Sequence, residues 1–298
     1  MTAKGFATPV LFIIFNRPDT TDLVFDAIRR VRPASLYIAA DGPRPQVESD
    51  VALCGQARGV RDSVDWDCKV KTRYGEENLG PDKAVSSAID WFFENVSEGI
   101  ILEDDCLPDQ RFFWYCQELL QHYRDDTRVM HICGSNFLGK LNEKYSYYFS
   151  RHAPIRGWAS WRRAWKLNGF EKTRYEAIRQ HGFFDEYFPS RIEKLSWFRI
   201  FDGMARNPDK QGQWVYRWDF SRFIQSGLSV IPRENLVTSL NSREDKTQAV
   251  PNPSSLGDSL LHPPFVIRNM EADKQYFSTV INIRRVARLN ALELSLVV

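Results

Sequence analysis

The first extended pattern in the chain is an unbroken apolar run, Val10-Leu-Phe-Ile-Ile-Phe15. A strand solvated on one face would alternate, so this run predicts a strand covered on both faces. Over residues 19–30 the period changes. Leu23, Phe25, Ala27 and Ile28 recur at helical spacing, with an acid at the start and bases at the end. The alternation then repeats: a strand over 36–40 closed by Asp41-Gly42-Pro43, a weaker helix within 44–60, and a short strand over 68–72. Residues 82–94 predict a helix with Ala84, Val85, Ala88, Ile89 and Phe92 on one side, and 99–102 a strand. Residues 110–123 predict a helix and 129–133 a further strand. Repeated strand–helix units predict an α/β fold, Rossmann-like, with a mostly parallel central sheet flanked by helices.

The rhythm is lost over residues 136–265, which read as an α+β extension of the same sheet. Of the 40 aromatic residues, 21 fall between Tyr145 and Phe223. Two explanations stand open, a thick core or a sugar-binding surface, since rings offer apolar contact to the C–H face of a pyranose. Residues 241–264 are polar and Pro-rich. The tail over 280–298 mixes aliphatic residues with Arg284, Arg285 and Arg288, and could pack on the body or lie as a peripheral contact on an anionic bilayer.

Charge narrows the choice of partner. With 40 Lys+Arg against 38 Asp+Glu the chain has no excess of positive charge for tracking phosphates, which argues against a nucleic-acid partner. Five scattered Cys form no metal-binding pair spacing and no disulfide framework, as expected in a reducing compartment. The early apolar run is too short for a signal core or a membrane span. The expectation is a cytoplasmic protein, with work at the inner face of the membrane left open by the tail.

Ligands of an open parallel sheet sit at the carboxyl ends of its strands. The first strand here runs into Asn16-Arg17-Pro18, the second into Asp41-Gly42-Pro43, and the strand over 99–102 into Glu103-Asp104-Asp105. Three acids fed directly by an apolar strand are costly unless something positive compensates them. On an extended backbone Glu103 and Asp105 would share one side, with Asp104 on the other. A hard divalent ion with positions open for phosphate oxygens suits such carboxylates. Asn78-Leu-Gly-Pro-Asp-Lys83, before a helix, offers N–H groups and the Lys83 charge to a phosphate, or an ordinary loop and cap.

The order Phe15-Asn-Arg-Pro, Ala40-Asp-Gly, Leu102-Glu-Asp-Asp-Cys-Leu-Pro-Asp-Gln-Arg-Phe-Phe resembles a GT-A nucleotide-sugar glycosyltransferase. More narrowly it resembles the β-1,2-N-acetylglucosaminyltransferase I type and its bacterial relatives. The resemblance implies a nucleotide-sugar-binding half over 1–135, an acceptor-binding half over 136–265, and a tail over 266–298. It implies an inverting transferase of cell-surface polysaccharide assembly, dependent on Mn2+ (or Mg2+). The donor would be a UDP-sugar and the acceptor a glycan or lipid-linked glycan. By the same resemblance Asn16, Arg17 and Asp41 belong to the donor site, Arg17 and Asp41 at the uracil–ribose end. Glu103 and Asp104 would face donor sugar and ribose, and Asp105 would bind the metal. Trp158, in Gly157-Trp-Ala-Ser-Trp161, would wall the donor sugar, with a core position as the alternative. Asp219, in Tyr216-Arg-Trp-Asp-Phe220, would be the general base, with an ion pair to Arg217 or Arg222 as the alternative.

One departure concerns Glu244-Asp-Lys-Thr-Gln248. Gln248 stands where the relatives carry a His, and Gln is a poor metal ligand. Two other readings remain. A catalytically silent sugar-nucleotide-binding protein is one. A nucleotide-sugar pyrophosphorylase is the other, although the glycine-rich loop expected after the first strand of such an enzyme is missing from Asn16-Arg17-Pro18.

Overall fold

The computed structural model describes residues 6–139, 144–188, 190–208, 212–240 and 259–281. In chain order the first part is β1 (Val10–Ile14), α1 (Pro18–Val31), β2 (Ser35–Ala40), α2 (Glu48–Arg58), β3 (Lys69–Tyr74), α3 (Gly80–Asn95) and β4 (Glu98–Glu103). Then come a short β5 (Cys106–Pro108), α4 (Gln110–His122) and β6 (Val129–Cys133). The second part holds β7 (Tyr147–Ser150), β8 (Trp158–Trp161), α5 (Arg162–Trp165), α6 (Lys172–Gln180), α7 (Phe184–Tyr187) and α8 (Arg191–Arg206). It closes with α9 (Trp214–Ile224), β9 (Leu228–Pro232), β10 (Val237–Ser239) and α10 (Met270–Tyr276).

The main sheet has the order β3-β2-β1-β4-β8-β6-β9-β7. Strands β3, β2, β1 and β4 are mutually parallel, and β6 runs parallel to β9. β8 is inserted antiparallel between β4 and β6, and β7 lies antiparallel on the far edge. The fold is therefore of the expected α/β class. Every residue of β1 is buried. Val10, Phe12 and Ile14 meet α1 and α4 on one face, while Leu11 and Ile13 meet α3 on the other. The absence of any polar residue in that run follows from this double coverage.

α1 starts on Pro18 at its first turn, where the missing N–H costs nothing. It ends at Arg32, whose φ of 51° is left-handed, just ahead of Pro33. α4 starts on Asp109, whose side chain accepts from Arg111 N.

The aromatic crowd proves to be core. Tyr175, Phe184, Phe188, Trp197, Phe201, Phe220 and Phe223 pack on one another in a cluster formed by α6 to α9. Trp158, Trp165, Trp214 and Trp218 pack against the α3 side of the sheet. Of the aromatic residues in the 145–223 stretch, Phe183 is the large exposed one among those described. Trp158 itself is buried, stacked on His131 with ring centroids 4.8 Å apart. The Trp218 indole N–H is bonded to His131 Nδ1 at 3.2 Å beneath it. The expectation of Trp158 as a wall of the donor site is corrected: β8 is threaded through the sheet interior, and its side chains fill the interior.

Candidate functional site

β2 and β3 lie to one side of β1, and β4 lies to the other. The point at which the strand order reverses leaves a crevice at the carboxyl ends, because the flanking connections leave toward opposite faces. A cavity of about 390 Å³ opens there, within the ~300–1,000 Å³ range of small-molecule sites. Phe15 and Arg17 line it from the end of β1, Ala40 and Asp41 from β2, Arg73 and Tyr74 from β3, and Glu103 and Asp104 from β4. Pro81, Ala84, Val85 and Ala88 of α3 make an apolar wall. Arg17, Asp41, Glu103 and Asp104 thus share one cavity.

The strand ends at Glu103, and residues 104–105 form a turn. Strict alternation is lost there, so Glu103 and Asp104 both reach the cavity lining while Asp105 stands just outside it. Asp104 is buried. Its Oδ2 accepts from Phe15 N at 3.1 Å, and its Oδ1 pairs with Arg17. The other terminal nitrogen of Arg17 is 3.7 Å from Asp105 Oδ2. One guanidinium therefore serves two carboxylates, and Glu103 has no hydrogen-bond or ion-pair partner among the described residues. Burial, reinforced by Asp105 and Asp104 and opposed by Arg17, pushes the Glu103 carboxyl up to about 8. Burial also raises Asp104 to about 6, with Arg17 pulling it back.

That excess of negative charge is the feature a divalent cation fits. Oxygen donors suit Mg2+ or Mn2+, which keep several positions for water and phosphate. No group of three or more His, Cys, Asp or Glu able to hold a metal occurs among the described residues, so the site offers carboxylates in ones or twos. Both Asp104 oxygens are taken, and Asp105 accepts from Cys106 Sγ at 3.4 Å and lies near Arg17, so Glu103 is the carboxylate that would hold the ion, with Asp105 beside it.

Asp41 lines the cavity, and its carboxylate is engaged by the turn around it. Its Oδ1 accepts from Gly42 N and Leu79 N, both at 2.9 Å. Its Oδ2 accepts from Asn78 Nδ2 and Gly80 N, both at 3.0 Å. A carboxylate has about four lone-pair sites, so Asp41 has none to spare for a uracil or a ribose. It ties the end of β2 to the start of α3, where Gly80 adopts a φ of 78° that favours glycine. Gly42 completes the joint: a Cβ there would lie 2.4 Å from the Glu77 backbone.

Asn16 lies between two lining residues, Phe15 and Arg17. It is absent from the cavity lining, and its Nδ2 donates to Asp50 Oδ1 at 2.7 Å. Asp50 is fully buried and receives Arg44 Nε at 2.6 Å, which with Asn16 holds its carboxyl well below the usual range. Arg44 lines the cavity and lies over the Phe15 ring. Lys83 is exposed on α3 and does not line the cavity. Asn78 lay in the segment singled out before α3, whereas Arg44, Arg73 and Tyr74 escaped the reading of the sequence. Tyr74 and Arg73 were within reach of it: the strand-end rule applied to β3 would have named them, had the strand been carried two residues past Thr72.

Asp219 does not line the cavity. It is buried within α9 and bonded to Arg222, three residues on, at 2.6 Å. Burial raises its pKa and Arg222 opposes the rise. Of the two readings left open for this carboxylate, the geometry realises the ion pair. Residues 244–249, including Gln248, lie outside the described residues, as does the tail over 282–298.

Fold and site define an α/β protein whose cavity, at the switch point of a Rossmann-like half, joins an apolar helix wall to an acid-rich strand end. No family model matches the chain, and no curated protein matches it. Among solved structures it is similar to the mannosyltransferase PcManGT from Pyrobaculum calidifontis in complex with GDP-Man and Mn2+. The identity is 12% and the TM-score 0.37, over 55% of this chain and 47% of that one. It is also similar to residues 1–349 of S. aureus TarS, at 7% identity and TM-score 0.43, over 77% of this chain and 59% of that one. A third is 4-diphosphocytidyl-2C-methyl-D-erythritolsynthase from Anaerococcus prevotii, at 9% identity and TM-score 0.41, over 82% and 97%. The chain spans about half the length of the first of these structures and about three fifths of the second. The likeness is a loose one of architecture.

Proposed function

We propose that the chain is a nucleotide-sugar glycosyltransferase of GT-A type, with a UDP-sugar as donor and a hydroxyl of a glycan or lipid-linked glycan as acceptor. The observation that carries the reading is the convergence of four parallel strand ends, with Glu103 and Asp104 among the lining, on one cavity at the switch point. The motif resemblance supplies the donor class and the inverting outcome. In this reading the apolar wall of Ala84, Val85 and Ala88 receives the face of the base, with Tyr74 beside it. Arg17 holds Asp104 in place, and Glu103, with Asp105 next to it, would hold Mn2+ or Mg2+. Such an ion, when bound, supplies positive charge to the diphosphate oxygens and to the leaving group. Asp219, committed to Arg222, is assigned no part in proton transfer.

Calorimetric titration of UDP into the protein with and without Mn2+ tests the reading. Mn2+ should tighten UDP binding in the wild-type chain, and Glu103→Gln should lose most of that gain. Asp219→Asn should bind UDP as the wild type does while melting at a lower temperature. Failure of UDP, GDP and CDP alike to bind in the presence of Mn2+ would overturn the proposal. So would a Mn2+ effect that is undiminished in Glu103→Gln.

A further inference from the structure

Helix α8 begins with Ser190 and Glu193 in capping positions, the Ser190 side chain accepting from Glu193 N. Its inner face, with Trp197, Phe201 and Met204, is buried in the aromatic cluster. At about 100° per residue, Arg191, Ile192, Leu195, Arg199 and Arg206 fall in one stripe on the opposite side. The stripe is uncovered: Ile192 is 62% exposed and Leu195 47%, and all three arginines are exposed.

The acids near this stripe are already taken. Glu193 is buried and paired with Arg151. Asp202, within the stripe, is held by Arg179 of α6 and by the Tyr175 hydroxyl. Arg191, Arg199 and Arg206 have no carboxylate partner among the described residues, and Arg206 bonds only back to the Asp202 carbonyl of its own helix. Arg179 extends the positive border, lying over Phe198. Phe183, 65% exposed, precedes α7, which the Asp185–Lys194 pair ties to α8 at 2.7 Å.

Apart from Asp202, which Arg179 neutralises, the stripe presents guanidinium groups and large aliphatic groups. An anionic bilayer surface satisfies both components, with phosphates for the arginines and the acyl boundary for Ile192 and Leu195. We propose that the outer face of α8 seats the protein on an anionic membrane surface. The proposal stands apart from the nucleotide-sugar reading, and failure of either leaves the other intact.

Co-sedimentation of the full chain with phosphatidylcholine vesicles, with and without phosphatidylglycerol, is the test. Binding should require phosphatidylglycerol and fall with salt. The triple variant Arg191→Gln/Arg199→Gln/Arg206→Gln should bind on the order of a hundredfold more weakly. Ile192→Ser/Leu195→Ser should bind about tenfold more weakly. Because these positions are exposed, circular dichroism and melting should match the wild type. A control triple variant, Arg284→Gln/Arg285→Gln/Arg288→Gln, should retain binding. No binding to the anionic vesicles by the wild type would overturn the proposal and leave the stripe to a protein partner. Undiminished binding by the α8 triple variant would overturn it, as would abolition of binding by the tail variant alone.

Discussion

Three carboxylates around one guanidinium make the end of β4 sensitive to pH. Burial pushes the carboxyls of Glu103 and Asp104 up to about 8 and about 6, above their ordinary values of 4.5 and 3.8. A raised carboxyl means that folding favours the neutral form. The associated stability is fully present below the unfolded pKa and is lost as pH rises through the folded one. For the metal-free chain that loss runs from about pH 4 to about pH 6 at Asp104 and to about pH 8 at Glu103. Glu103→Gln, which stays neutral, should melt with the wild type at pH 4 and above it at pH 8. Thermal melts at both pH values check this, and an equal offset at the two would refute it. The sequence placed these acids at a strand end correctly. It could not say that Asp104 and Asp41 are saturated by donors from other segments, because those donors lie far along the chain, as with Arg17 for Asp104 and Gly80 for Asp41.

At the level of elements, the helix wall of the cavity is held from outside the Rossmann-like half. Asp82, in the first turn of α3, accepts from Trp214 N at 2.5 Å through Oδ1 and pairs with Arg217 at 2.7 Å through Oδ2. Asp82→Ala would leave a buried N–H and a partly buried guanidinium of α9 without their acceptor, at a cost of about 3 kcal/mol. Urea denaturation measures it, and a loss below about 1 kcal/mol would mean that the joint is dispensable. The same variant should weaken UDP binding by loosening α3. The longer elements up to β6 were legible because apolar continuity and helical period are local signals. β5 and β10 were not: each has three residues, too few for a period to register, and they exist because they pair with each other. α6 to α9 were hidden by aromatic residues at so many positions that no single face stood out.

At the scale of the whole molecule, α10 is fastened to the body by buried charge. Asp273 is fully buried, accepting from Ser150 Oγ at 2.5 Å and lying 2.6 Å from Arg268 Nε and 3.8 Å from Arg151 Nε. Arg151 in turn pairs with Glu193 of α8, and its carbonyl accepts from Arg222 of α9 at 2.9 Å. Asp273→Ala would strand the buried Arg151 without half of its compensation. It should cost roughly 3–5 kcal/mol and speed proteolysis within residues 259–281. Denaturation together with limited digestion checks both effects, and unchanged digestion would show that α10 is held by packing alone.

The sequence by itself determined the alternation of strands and helices over residues 10–133 and the presence of Arg17, Asp41 and Glu103-Asp104-Asp105 at strand ends. Burial imposes its pattern on neighbouring residues, and that pattern can be read locally. Tertiary structure alone decided which of those polar atoms remain free. It left Glu103 facing the cavity, spent Asp41 and Asp104 on backbone and guanidinium donors, turned Asn16 to Asp50, and put Trp158 and Asp219 in the interior. Hydrogen-bond partners are chosen by proximity in space, and in this fold they come from segments that the chain order keeps far apart.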